Sequence, residues 1–140
     1  MAERATRPVE IRDLHTGRLF KRFVAPGRAI SVSMSGNYVA VVVARSHSRE
    51  LLRYRRRGTF LGRSRLPNGA SPYGLTVGAR TIVYAGGRRI FAVDAKTGIT
   101  RIVANATAPP VGLSILGRRV GWAENLGRDR STVRAITLPE

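Results

Sequence analysis

Hydrophobic and polar residues alternate along much of this chain with the period of a β-strand. Ile30, Val32 and Met34 are interleaved with Ser31, Ser33 and Ser35; Tyr73, Leu75 and Val77 with Gly74 and Thr76; Val111, Leu113 and Ile115 with Gly112 and Ser114. These segments form a first predicted strand type, a. Each is followed by a nearly continuous apolar run, Tyr38 to Ala44, Thr81 to Ala85 and Val120 to Ala123, which predicts a strand b buried on both faces. Strand c is predicted within Val9 to Gly17, Leu51 to Gly58 and Ile90 to Gly98, with a final copy from Val133 to Leu138. Strand d falls at Leu19 to Val24, Phe60 to Leu66 and Ile99 to Val103. Apolar stripes of helical period behind capping residues are missing, so the predicted class is all-β.

The breakers between these strands repeat. Gly17, Gly58 and Gly98 lie 41 and 40 residues apart; Gly36, Gly78 and Gly117, 42 and 39; Pro26, Pro67 and Pro109, 41 and 42. A four-stranded antiparallel meander recurring every 40 or so residues is the sequence form of a β-propeller blade. The second face of strand a carries Gly, Ser and Thr, as expected where innermost strands crowd towards a central axis. A tail over residues 1–7 and one repeat domain over 8–138 are predicted. Within the domain, 8–25 is the outer hairpin of a blade, 29–66 and 70–106 are blades, and 109–138 is a partial blade. Three blades fall short of the roughly four to eight that close a ring, so the expectation is a partial ring or one completed by a second copy. In such a homodimer Val9 to Val24 of one chain would complete the blade begun by Val111 to Ala123 of the other, and removing residues 1 to 25 would prevent it.

Arg12-Asp13-Leu14-His15-Thr16-Gly17 resembles the end of a WD-repeat blade, and Ile90-Phe91-Ala92-Val93-Asp94-Ala95-Lys96-Thr97-Gly98 resembles the quinoprotein-type propeller repeat. In the latter an Asp-x-x-Thr-Gly turn joins the two outer strands. The carboxylate of such a turn accepts backbone N–H bonds, and its glycine tolerates positive φ. The resemblance implies a propeller fold and, for the quinoprotein type, a dehydrogenase activity as one functional possibility.

Charge adds a second possibility. Twenty-five basic residues against 8 acidic ones give a formal net charge of +17, a field that attracts polyanions. Arginine in place of lysine suits bidentate phosphate binding, although it is also what a high-GC genome produces. Arg53, Arg55, Arg56, Arg57, Arg63 and Arg65 are predicted to line both arms of one outer hairpin as a rim patch. That patch could meet an acidic protein, lipid headgroups or phosphate; edge protection against unwanted strand pairing is the alternative.

Catalytic constellations are not found in the sequence. There is no cysteine, so thiolate chemistry and disulfides are excluded. His15 and His47 fall in predicted turns without a second metal ligand at suitable spacing. Asp13 and Asp94 read as turn residues, and Trp122 and Tyr38 as core. No cofactor or metal is expected. No secretory signal or apolar run long enough to span a membrane is visible, which points to a cytoplasmic protein. The expectation is a non-catalytic scaffold that binds another protein. A quinoprotein-like dehydrogenase fragment and an arginine-rich nucleic-acid binder are the alternatives.

Overall fold

The computed structural model describes residues 8–68, 70 and 74–139. The predicted tail over residues 1–7 and the start of the second strand a at Tyr73 lie outside the described residues. Among the described residues the chain forms thirteen strands and no helix, in four antiparallel sheets. The first sheet pairs β1 (Val9–Arg12) with β2 (Leu19–Phe23). The second contains β3 (Arg28–Ser35), β4 (Tyr38–Ala44), β5 (Arg49–Arg55) and β6 (Phe60–Arg65). The third contains β7 (Thr76–Gly78), β8 (Thr81–Gly86), β9 (Arg89–Asp94) and β10 (Thr100–Asn105). The fourth contains β11 (Pro110–Leu116), β12 (Arg119–Gly127) and β13 (Arg130–Thr137). Strands neighbour one another in chain order within every sheet. The molecule is therefore an all-β, propeller-type series of meanders, as the repeat predicts.

Strand alternation explains how the sheets stack. In β4 the odd positions Val39, Val41 and Val43 join Ile11, Leu52 and Tyr54 in a cluster against the first sheet. The even positions Ala40 and Val42 pack instead with Leu51, Ile82, Tyr84 and Val93, between the second and third sheets. The pattern recurs one repeat later, where Val83, Ile90 and Ala92 meet Val120, Trp122 and Leu138 of the fourth sheet region. An uninterrupted apolar strand b is thus what a sheet needs when it is covered on both faces. Neighbouring innermost strands touch along the series, β3 with β7 and β7 with β11.

The tight turn after strand a differs among repeats. In the first and third full copies its leading residue is glycine at positive φ, Gly36 at 56° and Gly117 at 59°. In the second copy that conformation falls on Ala79, at φ 47°, while Gly78 stays in β7. Packing accounts for the shift: a Cβ on Gly78 would stand 2.7 Å from Cγ2 of Ile115 in the adjacent innermost strand. Glycine is thereby committed to the close approach, and alanine takes the left-handed position at a cost of roughly 1 kcal/mol.

Candidate functional site

The β5–β6 hairpin tip gathers three cations of the predicted patch, Arg55 half-buried and Arg56 and Arg57 exposed. Its closure is backbone-made: the Arg55 N–H donates to the Thr59 carbonyl at 2.8 Å, the Gly58 N–H to the Arg55 carbonyl at 2.8 Å, and the Arg56 N–H to the Asn37 carbonyl at 2.7 Å. The last bond ties this tip to the turn between β3 and β4. The Arg55 guanidinium lies 5.6 Å from the ring centre of Tyr38, and that of Arg56 lies 5.1 Å from the ring centre of Phe20 on β2. Stacking of this kind holds a cation in place without neutralising it. A shallow cleft of about 280 Å³ is lined by Arg55, Arg56, Arg57 and Asn37. None of these three arginines has an ion pair among the described residues.

Lys21 joins them. Its side chain runs so close to Gly58 that a Cβ there would stand 2.8 Å from the Lys Cε. Lys21 and Asn37 belong to other elements, and sequence inspection misses both because the approach is made by sheet packing. The nearest sequence signal is that Lys21 lies in strand d of the preceding repeat.

The remaining predicted arginines divide. Arg63 and Arg65 are exposed on β6, paired across from Leu52 and Glu50, so they run along the outer strand away from the tip. Arg53 does not belong to the surface at all. It is 5% exposed, because alternation places it on the same face as Leu51, towards the third sheet. Its Nη1 donates to the backbone carbonyls of Ala95 and Lys96, at 3.0 and 3.1 Å. Burial lowers its pKa, partly opposed by the charge of Asp94, and its Nε has no hydrogen-bond partner among the described residues.

The two aspartates act as turn residues. Asp13 Oδ1 accepts from the N–H groups of His15 and Thr16 and from the Thr16 hydroxyl, at 3.0, 2.7 and 2.9 Å. These bonds, led by the Thr16 N–H, hold its pKa below the usual value. Asp94 Oδ1 accepts from the Lys96 and Thr97 N–H groups at 2.9 and 2.8 Å, and Oδ2 pairs with Arg80 Nε at 2.9 Å. Burial pushes the Asp94 carboxyl up, but the Thr97 N–H, Arg80 and the remaining donors bring it below its ordinary value. The same Asp-x-x-Thr geometry occurs in two repeats, with Gly17 and Gly98 both at positive φ.

These meanders and their recurring turns show the fold to which the chain is similar. A solved structure described as the crystal structure of the tricorn protease, which has a β-propeller domain, superposes over 82% of this chain with a TM-score of 0.57 and 18% identity. This chain spans 12% of that structure's length. At this identity the likeness carries the fold alone. No protein-family model matches the chain, and no curated protein matches it.

A second polar arrangement escaped sequence inspection. Glu124 on β12 is 1% exposed and lies between the third and fourth sheets. Its Oε1 accepts from Trp122 Nε1 at 3.0 Å, the Thr107 N–H at 3.2 Å and Arg134 Nη1 at 3.2 Å. The Trp122 bond is the chief cause of its lowered pKa, against the opposing effect of burial. Trp122 and Glu124, two apart on a strand, necessarily share a face, and that spacing is the signal that could have found them. His15 and His47 are exposed in turns or bends. Among the described residues no group of three or more His, Asp or Glu converges as a metal site, and no helix is long and apolar enough to cross a membrane.

Proposed function

We propose that this chain is a non-catalytic, propeller-type binding module that recognises an acidic protein surface through the tip of its β5–β6 hairpin. The observation that carries the reading is that Arg55, Arg56 and Arg57 have no ion pair among the described residues. Two of them are pre-positioned on aromatic rings, so little side-chain freedom is lost on binding. Rigid sheets beneath the tip supply display rather than chemistry. The WD-like and quinoprotein-like segments support a propeller blade, with Asp13 and Asp94 acting as turn acceptors.

Fluorescence anisotropy with a labelled polyglutamate peptide tests the proposal. Saturable binding is expected to weaken at least about tenfold when Arg55, Arg56 and Arg57 are changed together to Ser, with far-ultraviolet circular dichroism unchanged. Equal affinity in the variant would remove the tip from the binding surface. The dehydrogenase alternative draws on the likeness of residues 90–98 to a quinoprotein repeat. Addition of pyrroloquinoline quinone and calcium is expected to give neither stoichiometric binding nor alcohol-dependent dye reduction; turnover would replace the binding reading.

A further inference from the structure

Each of the first three sheets is covered on the face that looks along the series, and the fourth is not. Leu51 on β5, Ile90 on β9 and Val133 on β13 occupy equivalent positions in strand c. The first two are completely buried, and Val133 is 80% exposed. Two residues further on, Ile11, Arg53 and Ala92 are buried while Ala135 is exposed. Strand pairing extends this uncovered region into a face. Val111, Ala123 and Val133 form one cross-strand row over β11, β12 and β13, and Ser114, Gly121 and Ala135 form the next. Trp122 and Glu124 point the other way, into the molecule.

The composition of this face sets it apart. In a chain of net charge +17, the outward cross-strand positions of the fourth sheet carry one charged residue, Arg119, in the row nearest the β11–β12 turn. The opposite end of the series is quite different. On the first sheet Glu10 bonds to Arg12 Nε at 2.8 Å and Arg22 Nε at 3.0 Å, an exposed ionic layer that would lose hydration if covered. This sparsely charged end therefore does not find its complement at the other end of another copy. It finds it in itself: small and β-branched residues on an open sheet face permit face-to-face packing at about 10 Å, and a twofold axis closes the contact with two copies.

We propose that this chain self-associates through the outer face of its fourth sheet, Val111, Ala123 and Val133 of one copy packing on the same residues of a second. The proposal is independent of the hairpin tip, which lies on the second sheet. It also differs from exchange of the N-terminal hairpin, because β13 already pairs with β12 from Arg119 to Gly127 and fills the place that a copy's β1 would take.

Sedimentation equilibrium of the full chain at tens of micromolar decides it. The wild type is expected to be dimeric, with the dimer fraction rising between low salt and about 0.5 M NaCl, because screening relieves the repulsion between two +17 chains. Val133→Lys is expected to raise the dissociation constant at least about tenfold, and Ala123→Lys to do the same, with the melting temperature of each monomer retained. Val133 is already in water, so its replacement tests the interface even if Ala123→Lys folds poorly. A wild type that stays monomeric at high salt, a dimer that dissociates as salt rises, or a dimer indifferent to Val133→Lys would each overturn the proposal. The last outcome would favour exchange of β1 and β2.

Discussion

Arg53 crosses from the second sheet to the third and donates to the carbonyl oxygen of Ala95 at 3.0 Å. Its guanidinium reaches that carbonyl by passing Gly98: a Cβ on Gly98 would stand 2.5 Å from Nη2 and 2.8 Å from Cζ. The turn that ends strand c of one repeat is therefore a receptor for a side chain of the previous repeat.

Gly17 and Gly98 make a matched pair that isolates this contact. Both have positive φ, 70° and 79°, but nothing lies within 4 Å of a Cβ built on Gly17. Gly17→Ala is expected to cost about 1 kcal/mol, the penalty of left-handed backbone alone. Gly98→Ala is expected to cost about 1–3 kcal/mol more by displacing Arg53. In an Arg53→Met background that excess should largely vanish, as urea denaturation of the wild type, the three single variants and the Arg53→Met/Gly98→Ala double variant would show. Equal losses at the two glycines would mean that Arg53 moves aside freely.

Glu124 links stability to acid. Its folded pKa is lowered, with the Trp122 bond the largest cause. A lowered folded pKa means stability that is present above the unfolded carboxyl value and lost as pH falls through the folded one. Thermal melting is thus expected to hold level from pH 7 to about pH 5 and to decline below the ordinary glutamate range near pH 4.5. Glu10, Asp13 and Asp94 shift in the same direction and contribute to the decline. Trp122 is the single tryptophan, so its fluorescence reports the Glu124 bond directly. Glu124→Gln should remove the acid-linked fluorescence change below pH 4.5 while leaving part of the decline in melting; an unchanged fluorescence titration in that variant would dissociate it from Glu124.

General attraction to polyanions has its own signature. Retention of duplex DNA is expected to fall steeply with salt and to show no sequence preference. Changing Arg55, Arg56 and Arg57 to Ser should reduce the slope of log affinity against log salt by up to about 3. A salt-resistant, sequence-selective complex would make nucleic acid, and not an acidic protein, the primary partner.

Turn chemistry and strand alternation carried most of the fold in the sequence. Asp94, Thr97 and Gly98 specify their hairpin through bonds within five residues, and the run Tyr38 to Ala44 requires cover on both faces wherever it occurs. Arg53 departs from its predicted place on the rim for a definite physical reason. The run Arg53-Tyr54-Arg55-Arg56-Arg57 reads as one solvated cluster, yet strand parity sends Arg53 inward with Leu51 while the hairpin turn carries Arg56 and Arg57 into water. Gly62, directly across on β6, is the available clue, since a Cβ there would collide with the Arg53 guanidinium. Lys21 beside Gly58 had no comparable clue, because only the packing of two sheets brings them together.

The three apolar clusters each join a pair of consecutive sheets, and this gives the molecule the thermodynamics of a linear row. Stability in such a row is a sum of nearest-neighbour couplings, and opening starts at the ends. Amide hydrogens of β4 and β8 should therefore exchange last, those of β2 and β13 first, and a lesion at the junction of the first two sheets should leave the far junction intact for native-state exchange to detect.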